Sequence, residues 1–114
     1  MSEKKVNNIL SLDNIIALVA SSISIVYGVT SLVSKKSINK TNEPISLTEG
    51  KLSDAIFVKK RGDKYNITVY VAISKDVRKN EVEVQISTQI AYDLAKALSI
   101  SQKNINVTTV AVVL

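Results

Sequence analysis

The sequence predicts an α+β domain of order α-β-β-α-β, a three-stranded sheet with two helices packed on one face. Three observations carry that prediction. Residues 15–33, IIALVASSISIVYGVTSLV, hold no charge, yet they divide into an apolar and a small, polar side at helical spacing. Residues 54–74 read as strand, two-residue turn, strand. Residues 80–114 join an amphipathic run to a β-branched tail.

The 114 residues suit one domain with its own core and are too few for two. Residues 1–10 are expected to be a flexible N-terminus and residues 11–114 the domain. The first helix is expected over 11–34. Asn14, Ala17, Ser21, Ser24, Gly28, Ser31 and Lys35 form its small, polar stripe, and Leu12, Ile15, Ile16, Val19, Ile23, Val26 and Val33 lie mainly opposite. Nineteen uncharged residues would just cross a bilayer core of about 30 Å, and Ser24 and Gly28 have the small-xxx-small spacing of packed transmembrane helices. Five hydroxyl residues and a glycine oppose insertion, flanking lysines set no orientation, and no A-x-A site follows for a signal peptidase. Taking this helix away would leave half of a one-sided sheet uncovered, so the core reading is preferred. Gly28 is then expected to permit close backbone approach.

Residues 34–53, with the only proline, read as a connector inside the domain. DAIFVKK, RGDK and YNITVYVAIS follow as a hairpin around Gly62-Asp63. Pairing across that turn sets Val58 opposite Ile67 and Ile56 opposite Val69, and Val71 and Ile73 extend the same apolar face. Ala55, Phe57, Lys59, Asn66, Thr68 and Tyr70 fall on the other face. The RGD tripeptide is read as turn chemistry rather than an integrin ligand, and the acceptor patterns at Asn66 and Asn106 as chance in an asparagine-rich chain. The second helix is expected to start after Asn80, capped by Asn80 with Glu83 three residues on. Its buried stripe is Val82, Ile86, Ile90, Leu94, Ala97 and Leu98, with Glu81, Glu83, Gln85, Asp93 and Lys96 outward. NINVTTVAVVL reads as a last strand whose alternation slips between Val107 and Val110, which predicts a bulge at Thr108 or Thr109.

Composition narrows the chemistry. Hydrophobic residues make up 46%, and cysteine, histidine and tryptophan are absent. Disulfide frameworks, the usual zinc ligand sets and thiol or imidazole catalysis are excluded, and lack of cysteine fits a reducing compartment. No motif pairs a hydroxyl nucleophile with a lysine, no D-x-D cluster offers a divalent-cation site, and the three glycines are too dispersed to cradle a phosphate. The expectation is a non-enzyme with no cofactor, no metal and no small-molecule substrate. Net charge is +5, with scattered lysines whose densest run is Lys59-Lys60-Arg61. That run reads as solvated surface, with an anionic partner as the alternative. The expected contact face is Phe57, Lys59, Arg61, Asn66, Thr68 and Tyr70, because exposed aromatics beside cations anchor interfaces. A single-stranded RNA-binding domain stacking bases on Phe57 and Tyr70 is the second reading.

Three pieces resemble the alkaline shock protein family, the envelope stress-response proteins of Gram-positive bacteria and their relatives. They are Ile16-Ala17 through Val26-Tyr27-Gly28-Val29, the strand YNITVYVAIS, and the long helix leading into Ile105-Asn106-Val107 and Val110. Together they span about residues 12–112. Ala55, Lys75-Asp76 and Ser101-Gln102 stand where the family has glycines, all at turns. The resemblance implies a non-enzymatic bacterial general stress protein of envelope homeostasis, cytoplasmic or peripheral at the inner membrane face. It implies homo-oligomers and contact with a membrane-anchored protein, and supplies no catalytic residue.

Overall fold

Ser11 opens the first helix by accepting the Asn14 N–H on its Oγ at 3.1 Å, with Asp13 in the positive first turn. The computed structural model describes residues 11–35 and 52–113. In chain order these form α1 (Leu12–Ser24), β1 (Val29–Leu32), a 3-10 turn (Leu52–Asp54), β2 (Ile56–Arg61), β3 (Lys64–Ile73), α2 (Lys79–Leu98), a second 3-10 turn (Gln102–Asn104) and β4 (Ile105–Val113). The α+β class stands, with one strand more than expected. The flexible segment expected over 1–10 and most of the connector expected over 34–53 lie outside the described residues.

The extra strand corrects the first helix, which ends at Ser24 rather than 34. Ser24 Oγ donates to the Ser21 carbonyl at 2.7 Å, a local bond that competes with helical continuation. Gly28 then takes φ +100°, outside any helix, and β-branched Val29 and Thr30 enter a strand. Thirteen helical residues reach about 20 Å, short of the roughly 30 Å of a bilayer core. Among the described residues no helix is long and apolar enough to cross a membrane.

β3 is the centre of the sheet. β2 pairs with its first half in the expected register, Ile56↔Val69, Val58↔Ile67 and Arg61↔Lys64. Gly62 at φ +62°, followed by a residue without positive φ, fits the glycine-first hairpin turn. β1 pairs antiparallel with Val71–Ile73. The two segments thus share one edge of β3, and the joint is closed by Val33 N–H to Tyr70 O at 3.0 Å and Tyr70 N–H to Ala55 O at 2.9 Å. β4 takes the other edge, parallel to β3 and unbroken from Tyr65↔Ile105 to Ile73↔Val113. The bulge expected at Thr108 or Thr109 is absent. Thr109 lies across from Val69 on the helix side of the sheet and lines an open groove beside α2. A polar residue is tolerated there without a change of register.

Both helices cover the face carrying Ile56, Ile67, Val69, Val71 and Ile73, each at most 1% exposed. α1 contributes Ile15, Ile16, Val19 and Ile23, and α2 contributes Val82, Ile86, Ile90, Leu94 and Leu98. Each such side chain contributes about 1.5–3 kcal/mol through burial. Ala95, not Ala97, completes the buried stripe of α2, because the core lies slightly to one side of the expected axis. Arg78 occupies the N-cap with no side-chain cap bond, so Asn80 sits inside the first turn rather than capping it. Asp93, expected to face solvent, turns toward α1. Its Oδ2 accepts from Ser22 Oγ at 2.6 Å and from Gln89 Nε2 at 3.0 Å. Ser22 is 2% exposed, and its hydroxyl also lies 3.0 Å from the Leu18 carbonyl.

Gly28 matters for a reason other than helix packing. A Cβ there would meet Val77 Cγ2 at 2.9 Å and Val82 Cγ2 at 3.0 Å, and φ is positive besides. Its carbonyl also accepts the Ser74 N–H at 2.9 Å, tying the start of β1 to the end of β3. Gly28→Ala is expected to lower stability by about 1–3 kcal/mol in chemical denaturation. Ser99 ends α2 at φ 60°, ψ 45° and is exposed. Ser99→Gly relieves that left-handed cost and is expected to raise the thermal midpoint slightly, by up to about 1 kcal/mol in stability.

Candidate functional site

Alternation along a strand is geometric, so the hairpin register decides which side chains share the sheet face turned away from α1 and α2. Phe57, Lys59 and Arg61 of β2 stand across from Thr68, Asn66 and Lys64 of β3, with Tyr70 following. All six residues expected at a contact face are thus on one surface. The structure adds a third row that sequence reasoning did not place. β4 brings Asn106 beside Asn66, Thr108 beside Thr68 and Val110 beside Tyr70. Asn106 Nδ2 donates to Asn66 Oδ1 at 3.1 Å, and this bond fixes both amides on the surface.

The aromatic pair is in edge-to-face contact, with centroids 5.8 Å apart and planes at 82°. Phe57 is 37% exposed, while Tyr70 is half-buried and offers less free surface than expected. Lys35 Nζ lies 5.4 Å from the Phe57 ring centroid, a cation–π distance. The sequence hid this contact, because the helical reading put Lys35 on the polar stripe of the first helix. The end of that helix at Ser24 carries Lys35 to the opposite face of the sheet.

Electrostatics give the face its character. Lys35, Lys59, Arg61 and Lys64 occupy or border it, and among the described residues its strand positions hold no acid. The ion pairs Arg78–Glu81 (3.4 Å) and Lys79–Glu83 (3.7 Å) belong instead to α2. Among the described residues, concavities lie between α2 and β4 (about 470 Å³), near Tyr65 and Ile100 (about 300 Å³), and near Tyr27 and Gln85 (about 240 Å³). A face of aromatics, amides, hydroxyls and cations suits recognition of another surface, through stacking, amide hydrogen bonds and charge. No family model, curated protein or solved structure matches the chain.

The two aromatics should separate energetically. Phe57→Ser removes a partly exposed ring and its edge contact, and is expected to cost about 0.5–1.5 kcal/mol. Tyr70→Thr, at a half-buried position in the middle of β3, should cost more. Urea melts of both variants should stay cooperative with unchanged slope.

Proposed function

We propose that this chain is a non-enzymatic contact module of the alkaline shock protein type. In this reading it serves envelope homeostasis by docking a membrane-anchored protein at the cytoplasmic face of the membrane. The observation that carries the reading is the sheet face turned away from α1 and α2, which joins Phe57 and Tyr70 to Lys35, Lys59 and Arg61 with no acid among its described strand positions. Aromatic anchors supply affinity, and the one-signed rim selects an acidic partner and speeds encounter. A second copy is disfavoured on this same face. A two-fold axis would set Lys59 and Arg61 near their own equivalents, and like charges repel across an interface.

A second reading rests on the same residues. Aromatics on neighbouring strands beside cations are also how a sheet holds single-stranded RNA. Here only Phe57 and the half-buried Tyr70 are available as stacking platforms, and they contact each other edge to face. That arrangement leaves little room for successive bases, so the protein partner is preferred.

Crosslinked pull-down from native lysate, with and without RNase, tests the assignment. The expected result is an RNase-resistant partner from the membrane fraction, weakened at high salt and lost with Phe57→Ser combined with Lys59→Glu. Recovery abolished by RNase would transfer the face to RNA. Recovery indifferent to the double variant would remove the function from this face.

A further inference from the structure

The sheet has two outer edges, and they are built differently. The edge at β2 carries Lys59, Lys60 and Arg61 in succession, the charged protection that keeps strand edges from pairing. β4 has none. Its nine residues, Ile105–Val113, include no charge, proline or bulge, and they run straight alongside β3. At about 3.3 Å per residue this is roughly 30 Å of edge, with about four N–H and as many C=O groups turned outward. No described strand or loop occupies that outer side.

The ground beside this edge is also unfilled. The open groove between α2 and β4 is lined by Asn80, Glu83, Val84, Ser87, Thr88 and Thr109. Val84, on the wall of that groove, is 63% exposed, and Val113 at the end of β4 is 50% exposed. Thr109 Oγ1 is buried with no hydrogen-bond partner among the described residues. Edge and groove thus offer backbone pairing and apolar surface side by side.

We propose that β4 is a self-association edge, at which two copies pair their β4 strands antiparallel about a two-fold axis into one continuous sheet. The occupant is a second copy for a physical reason. An antiparallel strand pair about a dyad is self-complementary, since each copy supplies the groups the other needs. The uncharged edge lets two molecules of net charge +5 meet there without local repulsion. Joining at β4 also brings the two Val84 side chains and the two grooves toward the seam, covering apolar surface that a lone copy exposes. This inference stands apart from the reading of the sheet face that carries Phe57, because the β4 seam does not include β2.

Sedimentation of the full chain over a concentration series is the test. The expected result is a reversible dimer, weakened at least about tenfold by Val84→Lys, since the two introduced charges then approach each other across the dyad. Val84 is exposed, so the monomer should keep its circular dichroism spectrum. Phe57→Ser with Lys59→Glu should leave the dimer intact, which separates failure of this proposal from failure of the contact-face reading. The chain has no cysteine, so single cysteines from Asn106 to Val112 can be oxidised one at a time. Disulfide-linked dimer should peak at one residue near the middle of β4 and fall away on both sides. A monomer at all concentrations, a dimer indifferent to Val84→Lys, or crosslinking without a peak would overturn the proposal.

Discussion

β3 is the constraint on which the other elements depend, because it is hydrogen-bonded along both edges and buried on one face. Its ten residues pair with β2 and then β1 on one side and with β4 on the other. Ile67, Val69, Val71 and Ile73 on its core side are at most 1% exposed. Strand formation and core formation are therefore the same event here. A residue that left its place in β3 would lose ladder bonds on two sides and open the contact with both helices. Tyr70 shows the coupling most plainly. Its backbone joins the two segments of the split edge, while its ring sits against Phe57 on the reverse face.

The helices are fixed by two devices of different kinds. At one end of α2 the packing is steric, with Gly28 leaving room for Val77 and Val82 where the chain turns from α1 into β1. Farther along α2 it is polar, with Asp93 accepting from Ser22 across the α1–α2 contact. A hydrogen bond to a charged acceptor is worth about 1.5–3 kcal/mol and is directional. It sets the helix pair in one rotational setting, which apolar contacts alone specify poorly.

These constraints leave the molecule with two surfaces of opposite design. The sheet face carrying Phe57 is basic and amide-rich among its described residues, the character that selects an acidic partner. The β4 edge is narrow, uncharged and made of backbone groups, the character that pairs with a strand. A charged surface favours selectivity and rapid encounter, whereas an unprotected edge gives register. The two surfaces meet along β4, where Asn106, Thr108 and Val110 border the sheet face.

Local periodicity is what the sequence determined by itself. The hairpin register, the apolar stripe of α2 and the co-location of Phe57, Lys59, Arg61, Asn66, Thr68 and Tyr70 all follow from the two-residue and 3.6-residue repeats of the backbone. Those repeats are the same in any surroundings, so they are legible without a partner. The end of α1 was not legible, because residues 25–33 have apolar character in a helix and in a strand alike. Only the open edge of Val71–Ile73 decides in favour of the strand. The same holds for β4, whose direction and missing bulge come from the α2 crossover and the groove beside Thr109. Lys35 over Phe57 and Asp93 on Ser22 likewise join residues distant in sequence. Which free edge or buried hydroxyl a segment meets is a property of the assembled fold, and no local repeat encodes it.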